Sequence, residues 1–350
     1  MPPDKPDFGA FVAVGRMGLR LVSKNGSDWS QPLMEDKPYT LSSIAAGKGC
    51  VVAAGMAGGG ENIFIRSTDL VKWEQQKQKT EYIYMLRSLG FGNGGFLALL
   101  SGGVNAEDGG NMQWSDDGAT WSERFKREKR SLNRIIWDGR QWFGIGNYGL
   151  KSVSADGRKW ADAENQSIAD TLISVVHGNG RYVGVGLHGL RMASPDGLRW
   201  GEKQMGEEGE HLHAVVFTGK EFVAVGLGAT YSSPDGVKWK RTPNDDAPVS
   251  VAYGNGVFVG VAYKGRILVS KDGIAWKQVL KAPEHIQAVS FTKRGVKANT
   301  ILTYSQSTDP TSPFSADQTR LFSREKWVRW AFTPAQVADD RISREVVRGG

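Results

Sequence analysis

Cysteine and long apolar runs are scarce in this 350-residue sequence, and each scarcity excludes a class of protein. The single cysteine, Cys50, excludes a disulfide scaffold and any zinc site built from several cysteines. No segment approaches the roughly 18–20 unbroken apolar residues that a spanning helix needs, so we expect no membrane span. The amino terminus lacks a basic start followed by an apolar run, and no signal peptide is predicted. We expect a periplasmic or secreted protein if a signal has been removed, and a cytoplasmic one otherwise.

The sequence also has only a small excess of positive over negative charge. The 44 Lys and Arg residues against 37 Asp and Glu give a net charge of +7. Spread over the whole chain, this excess favours acidic partners only weakly, and the basic residues are seldom interleaved with aromatic ones. We therefore expect no nucleic-acid partner. We also expect no cofactor, no metal and a monomer.

Glycine and tryptophan are abundant, with 45 and 12 copies, and a short repeated motif contains seven of the tryptophans. In every copy the tryptophan lies six positions after the serine, and successive serines lie 44, 48, 39, 40, 39 and 37 residues apart. Such regular spacing over seven copies does not arise by chance, so the sequence predicts a repeat protein. We call the copies the Ser-to-Trp turns: Ser23–Trp29, Ser67–Trp73, Ser115–Trp121, Ser154–Trp160, Ser194–Trp200, Ser233–Trp239 and Ser270–Trp276.

Most copies contain Asp-Gly between strand-like runs, which is a strong hairpin signal. Serine and aspartate oxygens accept hydrogen bonds from backbone N–H groups inside such a turn, and the tryptophan packs between neighbouring sheets. In the second copy Leu70 replaces the glycine, so we expect a wider or strained turn there. We predict a structural role for the motif aspartates: Asp69, Asp117, Asp156, Asp196, Asp235 and Asp272.

Two further strand-like runs joined by a tight turn precede most copies, as in 172–186 and 249–262. The repeated unit therefore has four strands, A to D, with a glycine-rich A–B turn and a Ser-to-Trp turn between C and D. Four-stranded units of roughly 40 residues are typical of a β-propeller. The sequence predicts an all-β chain of this architecture.

The Ser-to-Trp turns resemble the Asp box, or bacterial neuraminidase repeat, in a variant with one residue fewer between aspartate and tryptophan. The resemblance covers residues 7–282 clearly and 283–333 weakly. It implies the β-propeller shared by sialidases, xyloglucanases, sorting receptors and photosystem assembly factors. Because those proteins differ in activity, the resemblance implies a fold and leaves the function open.

We expect the propeller to occupy residues 1–333 and a tail to occupy 334–350. The first unit lacks strand A, and the run 286–330 resembles a worn eighth unit, so the sequence favours eight antiparallel blades. In the alternative of seven blades, 286–292 supplies the missing inner strand of the first blade and 298–333 is an extension.

Strand connectivity places the A–B and C–D turns on one face, which we call the framework face, and the B–C and D–A loops on the other, the loop face. Propellers usually bind on the side of their irregular loops. Polar and aromatic side chains that converge there can stack on a sugar or hydrogen-bond a protein. We predict a ligand site formed by B–C loop residues: Arg16, Tyr148, His188, Tyr263 and Lys264.

Two charged D–A segments allow more than one interpretation. The acidic segment 207–213 is interpreted as a solvated turn in preference to a metal or acid–base site. The basic segment is either a solvated loop or a patch for an acidic partner, such as an acidic segment of a membrane protein seated by an assembly factor. Its residues are Arg124, Lys126, Arg127, Arg130 and Arg134.

The sequence favours a non-catalytic scaffold that recognises a protein or glycan on the loop face, with catalytic residues unknown. The alternative is a sialidase-like or xyloglucanase-like glycoside hydrolase, although the Arg-Ile-Pro that the sialidase resemblance implies is absent. Two loop-face carboxyl groups within about 10 Å in a groove favour hydrolysis, and an open face favours binding. The candidate carboxylates are Glu61, Glu107, Asp108, Glu207, Asp245 and Glu284.

Overall fold

The computed structural model describes residues 9–292 except 37, 59, 79–83, 103–109, 128–129, 165 and 245. The chain divides into two compact units, Met1–Ser305 and Gln306–Gly350, and the described residues all belong to the first. They form seven antiparallel sheets, which are the blades of a β-propeller. No helix among them is long and apolar enough to cross a membrane.

The strands follow one another blade by blade. Blade 1 contains β1 (Ala10–Gly15), β2 (Arg20–Ser23) and β26 (Ile286–Thr292). Blades 2 and 3 contain β3 (Tyr39–Gly47), β4 (Cys50–Ala57), β5 (Asn62–Ser67), β6 (Glu74–Gln78), β7 (Tyr84–Gly92), β8 (Gly95–Gly102), β9 (Asn111–Ser115) and β10 (Phe125–Lys126). Blades 4 and 5 contain β11 (Leu132–Trp137), β12 (Trp142–Gly146), β13 (Lys151–Ser154), β14 (Ala161–Asp162), β15 (Leu172–Gly178), β16 (Arg181–Gly186), β17 (Arg191–Ser194) and β18 (Gly201–Gln204). Blades 6 and 7 contain β19 (His211–Phe217), β20 (Phe222–Ser233), β21 (Lys240–Asn244), β22 (Ser250–Gly254), β23 (Val257–Ala262), β24 (Arg266–Ser270) and β25 (Lys277–Lys281).

Strand β26 closes the ring by pairing with β1 as the inner strand of blade 1. Phe291 packs on Phe11 with ring centroids 4.8 Å apart, and the inner strands of consecutive blades contact each other around the whole circle. The prediction of eight blades is therefore wrong, and the alternative of seven is correct. A strand that completes the first blade has the same sequence pattern as one that opens a new blade, which explains the error. The further strands predicted within 298–333 lie outside the described residues.

Each Ser-to-Trp turn is a hydrogen-bonded corner between two strands. In Ser233–Trp239, Oγ of Ser233 accepts from the N–H of Gly236 at 2.8 Å, and Oδ1 of Asp235 accepts from the next two N–H groups at 2.9 and 2.8 Å. Those two N–H groups lower the pKa of Asp235 to about 2, so this carboxylate is ionised and its Oδ1 is used by the turn. Leu70 forms the equivalent bond in its turn with φ of +66°, so that turn is strained but not wider.

Pairs of aromatic rings join strands A and B in five consecutive blades. Their centroids lie 4.7 to 5.4 Å apart, and the two members are always five residues apart in sequence. Several strand A rings also fill the space beside a glycine of the preceding blade, as Phe91 does beside Gly47. The rings therefore pack each blade on itself and on its neighbour. The pairs are Phe91–Phe96, Trp137–Trp142, His177–Tyr182, Phe217–Phe222 and Tyr253–Phe258.

Hydrogen bonds between loops sort them into the two faces that the connectivity predicts. On the framework face, Gln141 in the A–B turn of blade 4 donates to the carbonyl of Asp196 in a Ser-to-Trp turn of blade 5, at 3.1 Å. On the loop face, Gly206 in a D–A loop donates its N–H to the carbonyl of His188 in a B–C loop, at 2.8 Å. The two faces therefore have different construction, and the loop face contains the predicted ligand site.

Candidate ligand-binding face

Four B–C loops turn through the same left-handed backbone conformation, and we call the residue at each turn the tip. The tips are Met17, Tyr148, His188 and Lys264, with φ of +55°, +56°, +56° and +61°. Short polar residues such as asparagine adopt this region at little cost, whereas bulky side chains there are true outliers. Each tip is expected to strain its loop by about 1 kcal/mol.

The A–B turns of the framework face adopt this conformation with different residues. There the positions hold Lys48, Asn93, Asn179 and Asn255, with φ of +48°, +49°, +46° and +49°. Asparagine relieves the strain at three of these four positions. The loop face instead retains large side chains where the backbone disfavours them, a pattern that is typical of ligand-binding positions.

Buried cations hold two of the tip loops from below. Nζ of Lys151 donates to the carbonyls of Gly149 and Asp170, each at 3.0 Å, and burial lowers its pKa to about 8. The guanidinium of Arg191 donates to the carbonyl of Gly189 at 2.7 Å and lies 3.8 Å from the centre of the Tyr231 ring. Each cation therefore satisfies backbone carbonyls beneath a tip and fixes the position of that loop.

The tip of blade 5 is also held by a second histidine. Nδ1 of His211 accepts from the backbone N–H of His188 at 3.2 Å, and the two rings meet edge to face at 5.3 Å. Burial and the neighbouring His188 lower the pKa of His211, so its ring is neutral near pH 7 and can accept this bond. The described residues contain no group of three or more His, Cys, Asp or Glu side chains placed for a metal ion.

The structure brings the predicted ligand-binding residues to one face. Arg16, His188, Tyr263 and Lys264 are exposed there, and Tyr148 is half-buried. They come from blades 1, 4, 5 and 7, and Tyr263 immediately precedes the tip of its blade.

The predicted basic patch is divided by burial. Arg124 and Lys126 are exposed, but Arg127 is buried with its guanidinium on the carboxylate of Asp162. Arg130 is half-buried and donates to Gln166 and to the carbonyl of Tyr148, and Arg134 is buried in β11. Of the five predicted residues, Arg124 and Lys126 are therefore the exposed ones.

The acidic segment differs from the solvated turn that its sequence predicts, because Glu210 is buried. Its Oε1 accepts from Nε of Arg241 at 2.8 Å, and its Oε2 accepts from the hydroxyl of Tyr231 at 2.5 Å and from the N–H of Glu207 at 3.0 Å. Burial alone would raise the pKa of Glu210, but these hydrogen bonds outweigh it and hold the pKa below its ordinary value. Glu210 is therefore a structural carboxylate.

The candidate hydrolytic carboxylates that the structure describes, Glu61, Glu207 and Glu284, lie in three different loops. Glu207 approaches Glu210 because both bind Arg241, at 2.8 and 2.7 Å, yet both oxygens of Glu210 are already occupied. Glu61 and Glu284 are half-buried and lie in loops of different blades. The remaining candidates, Glu107, Asp108 and Asp245, lie outside the described residues.

The closed ring of seven blades defines the chain as a seven-bladed β-propeller. Among solved structures it is similar to YCF48 bound to a D1 peptide, with a TM-score of 0.57 and 17% identity over 75% of this chain and 88% of that one. It is also similar to YCF48 from Cyanidioschyzon merolae, with a TM-score of 0.51 and 14% identity over 70% and 87% of the two chains. At these identities the likeness shows the fold alone.

A second similarity involves a different class of protein. The penicillin amidase family model matches residues 230–339, which are 110 of the 350 residues, or 31%, and run from β20 beyond the described part. Aculeacin-A acylase of Actinoplanes utahensis is 41% identical over 80 residues, 22% of this chain and 10% of that protein. Acyl-homoserine lactone acylase PvdQ of Pseudomonas syringae pv. syringae is 33% identical over 88 residues, 25% and 11% of the two. The chain spans about a tenth of the length of these curated relatives.

Proposed function

We propose that the propeller is a binding scaffold that holds a protein partner on its loop face through Arg16, Tyr148, His188, Tyr263 and Lys264. The contrast between the two faces carries this proposal, since one turn conformation holds asparagine in three of four A–B turns of the framework face and large side chains at all four tips of the loop face. Selection for a partner explains why the loop face keeps a strained side chain at every one of these turns. The likeness to YCF48, solved with a D1 peptide, favours a peptide segment as the occupant.

The other functions that the sequence predicts have less support. A glycan is the second possible occupant of the same residues, and Arg124 and Lys126 are proposed as outlying contacts for acidic groups. We also propose that the Ser-to-Trp turns are Asp boxes and that their aspartates have a structural role. No contact among the described residues supports glycoside hydrolysis. Of the five proposed binding residues, the acylase match covers Tyr263 and Lys264.

The test replaces three tips with the residue that the framework face uses. The triple variant Tyr148→Asn, His188→Asn and Lys264→Asn relieves backbone strain, so its thermal unfolding temperature should be unchanged or higher. Its capture of peptides on an array of random 12-residue sequences should fall at least tenfold. Lys48→Asn is the matched control, because it changes the same turn conformation on the framework face and should leave capture unchanged. Unaltered peptide and glycan capture by the folded triple variant would contradict the proposal.

A further inference from the structure

Large apolar side chains are exposed almost exclusively on the loop face. Seven such side chains are exposed in the described part of the chain, and the only one on the framework face is Val71, in a Ser-to-Trp turn. Scattered exposed apolar residues need no explanation, but a one-sided distribution marks an interaction surface. We call the six loop-face residues the apolar ring: Met34, Met85, Ile168, Met205, Leu227 and Tyr263.

The apolar ring lies beside the tips. Glu35, which follows Met34, donates its N–H to the carbonyl of the tip Met17 at 3.0 Å. Gly206, which follows Met205, likewise donates its N–H to the carbonyl of the tip His188 at 2.8 Å. Tyr263 immediately precedes the tip of blade 7. Met34, Met205 and Tyr263 therefore lie beside the tips of blades 1, 5 and 7.

We infer that the apolar ring receives the apolar side chains of an extended peptide that also carries an acidic residue. This rests on the proposed function and adds the chemistry of the partner. Three of the six members are methionines, whose unbranched and polarisable side chains adapt to different apolar partners. The six side chains are only 37% to 46% exposed, so more than half of the surface of each is covered by the protein. Such side chains form shallow receiving sites, whereas a membrane-inserting face needs apolar groups that reach past the headgroups.

Charge adds the acidic requirement. Arg16 and Lys264 are exposed on blades 1 and 7, and no ion pair between described residues includes either of them. The carboxylates of Glu35 and Asp246 are already bound by Arg20 and Arg266. Glu284 lies beside the tip of blade 7, and no ion pair between described residues joins it to either cation. Both cations are therefore available to a carboxylate of the partner, which steers binding and selects its charge.

The experiment presents the full chain with 12-residue peptides in which apolar content and charge vary independently, so that four classes are compared. Apolar acidic peptides should bind at least tenfold better than polar acidic ones. The triple variant Met34→Gln, Met205→Gln and Leu227→Gln should lose at least tenfold of that binding. Val71→Thr, which alters the exposed apolar residue of the framework face, should lose none. If the triple variant fails to unfold cooperatively, the single variant Met205→Gln should show a smaller loss in the same direction.

The outcomes separate this inference from the proposed function. Equal binding of polar and apolar acidic peptides, weakened by the tip variant but not by the glutamine variant, would overturn the inference and leave the scaffold intact. Binding of no peptide class would overturn both. The inference also fails if the glutamine variant abolishes only dimerisation in light scattering, or only sedimentation with phosphatidylcholine–phosphatidylserine vesicles.

Discussion

Residues in the left-handed backbone region divide into those that hold the ring together and those that face solvent. Gly236, in a Ser-to-Trp turn, has φ of +73°, and a Cβ there would lie 2.5 Å from Cγ2 of Val183 in the preceding blade. Gly180, in an A–B turn, has the same φ of +73°, but a Cβ added there would meet only open space. The first glycine is therefore required by packing as well as by backbone conformation.

Alanine at these two glycines separates the packing effect from the backbone effect. Gly180→Ala should lower the free energy of unfolding by about 1–2 kcal/mol, from left-handed strain alone. Gly236→Ala should lower it by a further 1–3 kcal/mol or so, because the added methyl overpacks the contact with Val183. Urea unfolding of both variants measures the difference. Equal losses would mean that the Ser-to-Trp turn does not lock neighbouring blades.

At the scale of strands and loops, the sequence predicts what is stabilised locally and misses what is stabilised by distant partners. The Ser-to-Trp turns were predictable because their hydrogen bonds stay within one turn, and the five-residue spacing of the aromatic pairs was also available as a signal. The burial of Arg127 and Glu210 could not be predicted, because their partners are distant in sequence. Asp162 lies 35 residues from Arg127, and Arg241 lies 31 residues from Glu210. The apolar ring had no sequence signal either, since a methionine in a loop does not reveal its exposure.

The D–A loop of blade 5 provides a pH-dependent test of Glu210. Because its folded pKa lies below the ordinary value of 4.5, Glu210 stabilises the fold above that pH and loses this contribution as the pH falls below it. Glu210→Gln should therefore lower the free energy of unfolding by about 2–3 kcal/mol at pH 7, and by less at pH 3.5. Glu208→Gln, at an exposed neighbouring position, is the control and should have little effect at either pH. A loss that is equal at both pH values would argue against an ionised, buried Glu210.

At the scale of the whole molecule, the blade count depends on which residues complete the ring. The sequence identified the repeat and the two faces, but it could not decide between a new blade and the completion of the first. That choice depends on whether blade 7 packs against β26 or against a further sheet. In β26, Ile286, Val289 and Phe291 make buried contacts with blades 1 and 7, and these contacts fix the number of blades at seven.

Shortened chains test this closure. A chain that ends at residue 297 keeps β26 and should unfold cooperatively near the temperature of the full chain. A chain that ends at 283 lacks the inner strand of blade 1 and exposes the apolar side chains of β1, so it should unfold at a much lower temperature or aggregate. Differential scanning calorimetry of the two chains makes the comparison. Equal destabilisation of both would mean that residues beyond 297 belong to the ring.

The central claim is that the loop face recognises the partner and the framework face only holds the ring. Hydrogen–deuterium exchange of the full chain, with and without the tightest peptide from the array, tests it directly. We expect slower exchange on binding in the loops 15–19, 147–150, 187–190, 205–211 and 262–266, with no change in the Ser-to-Trp turns. Slower exchange in the Ser-to-Trp turns, with the loop-face segments unaffected, would contradict the account.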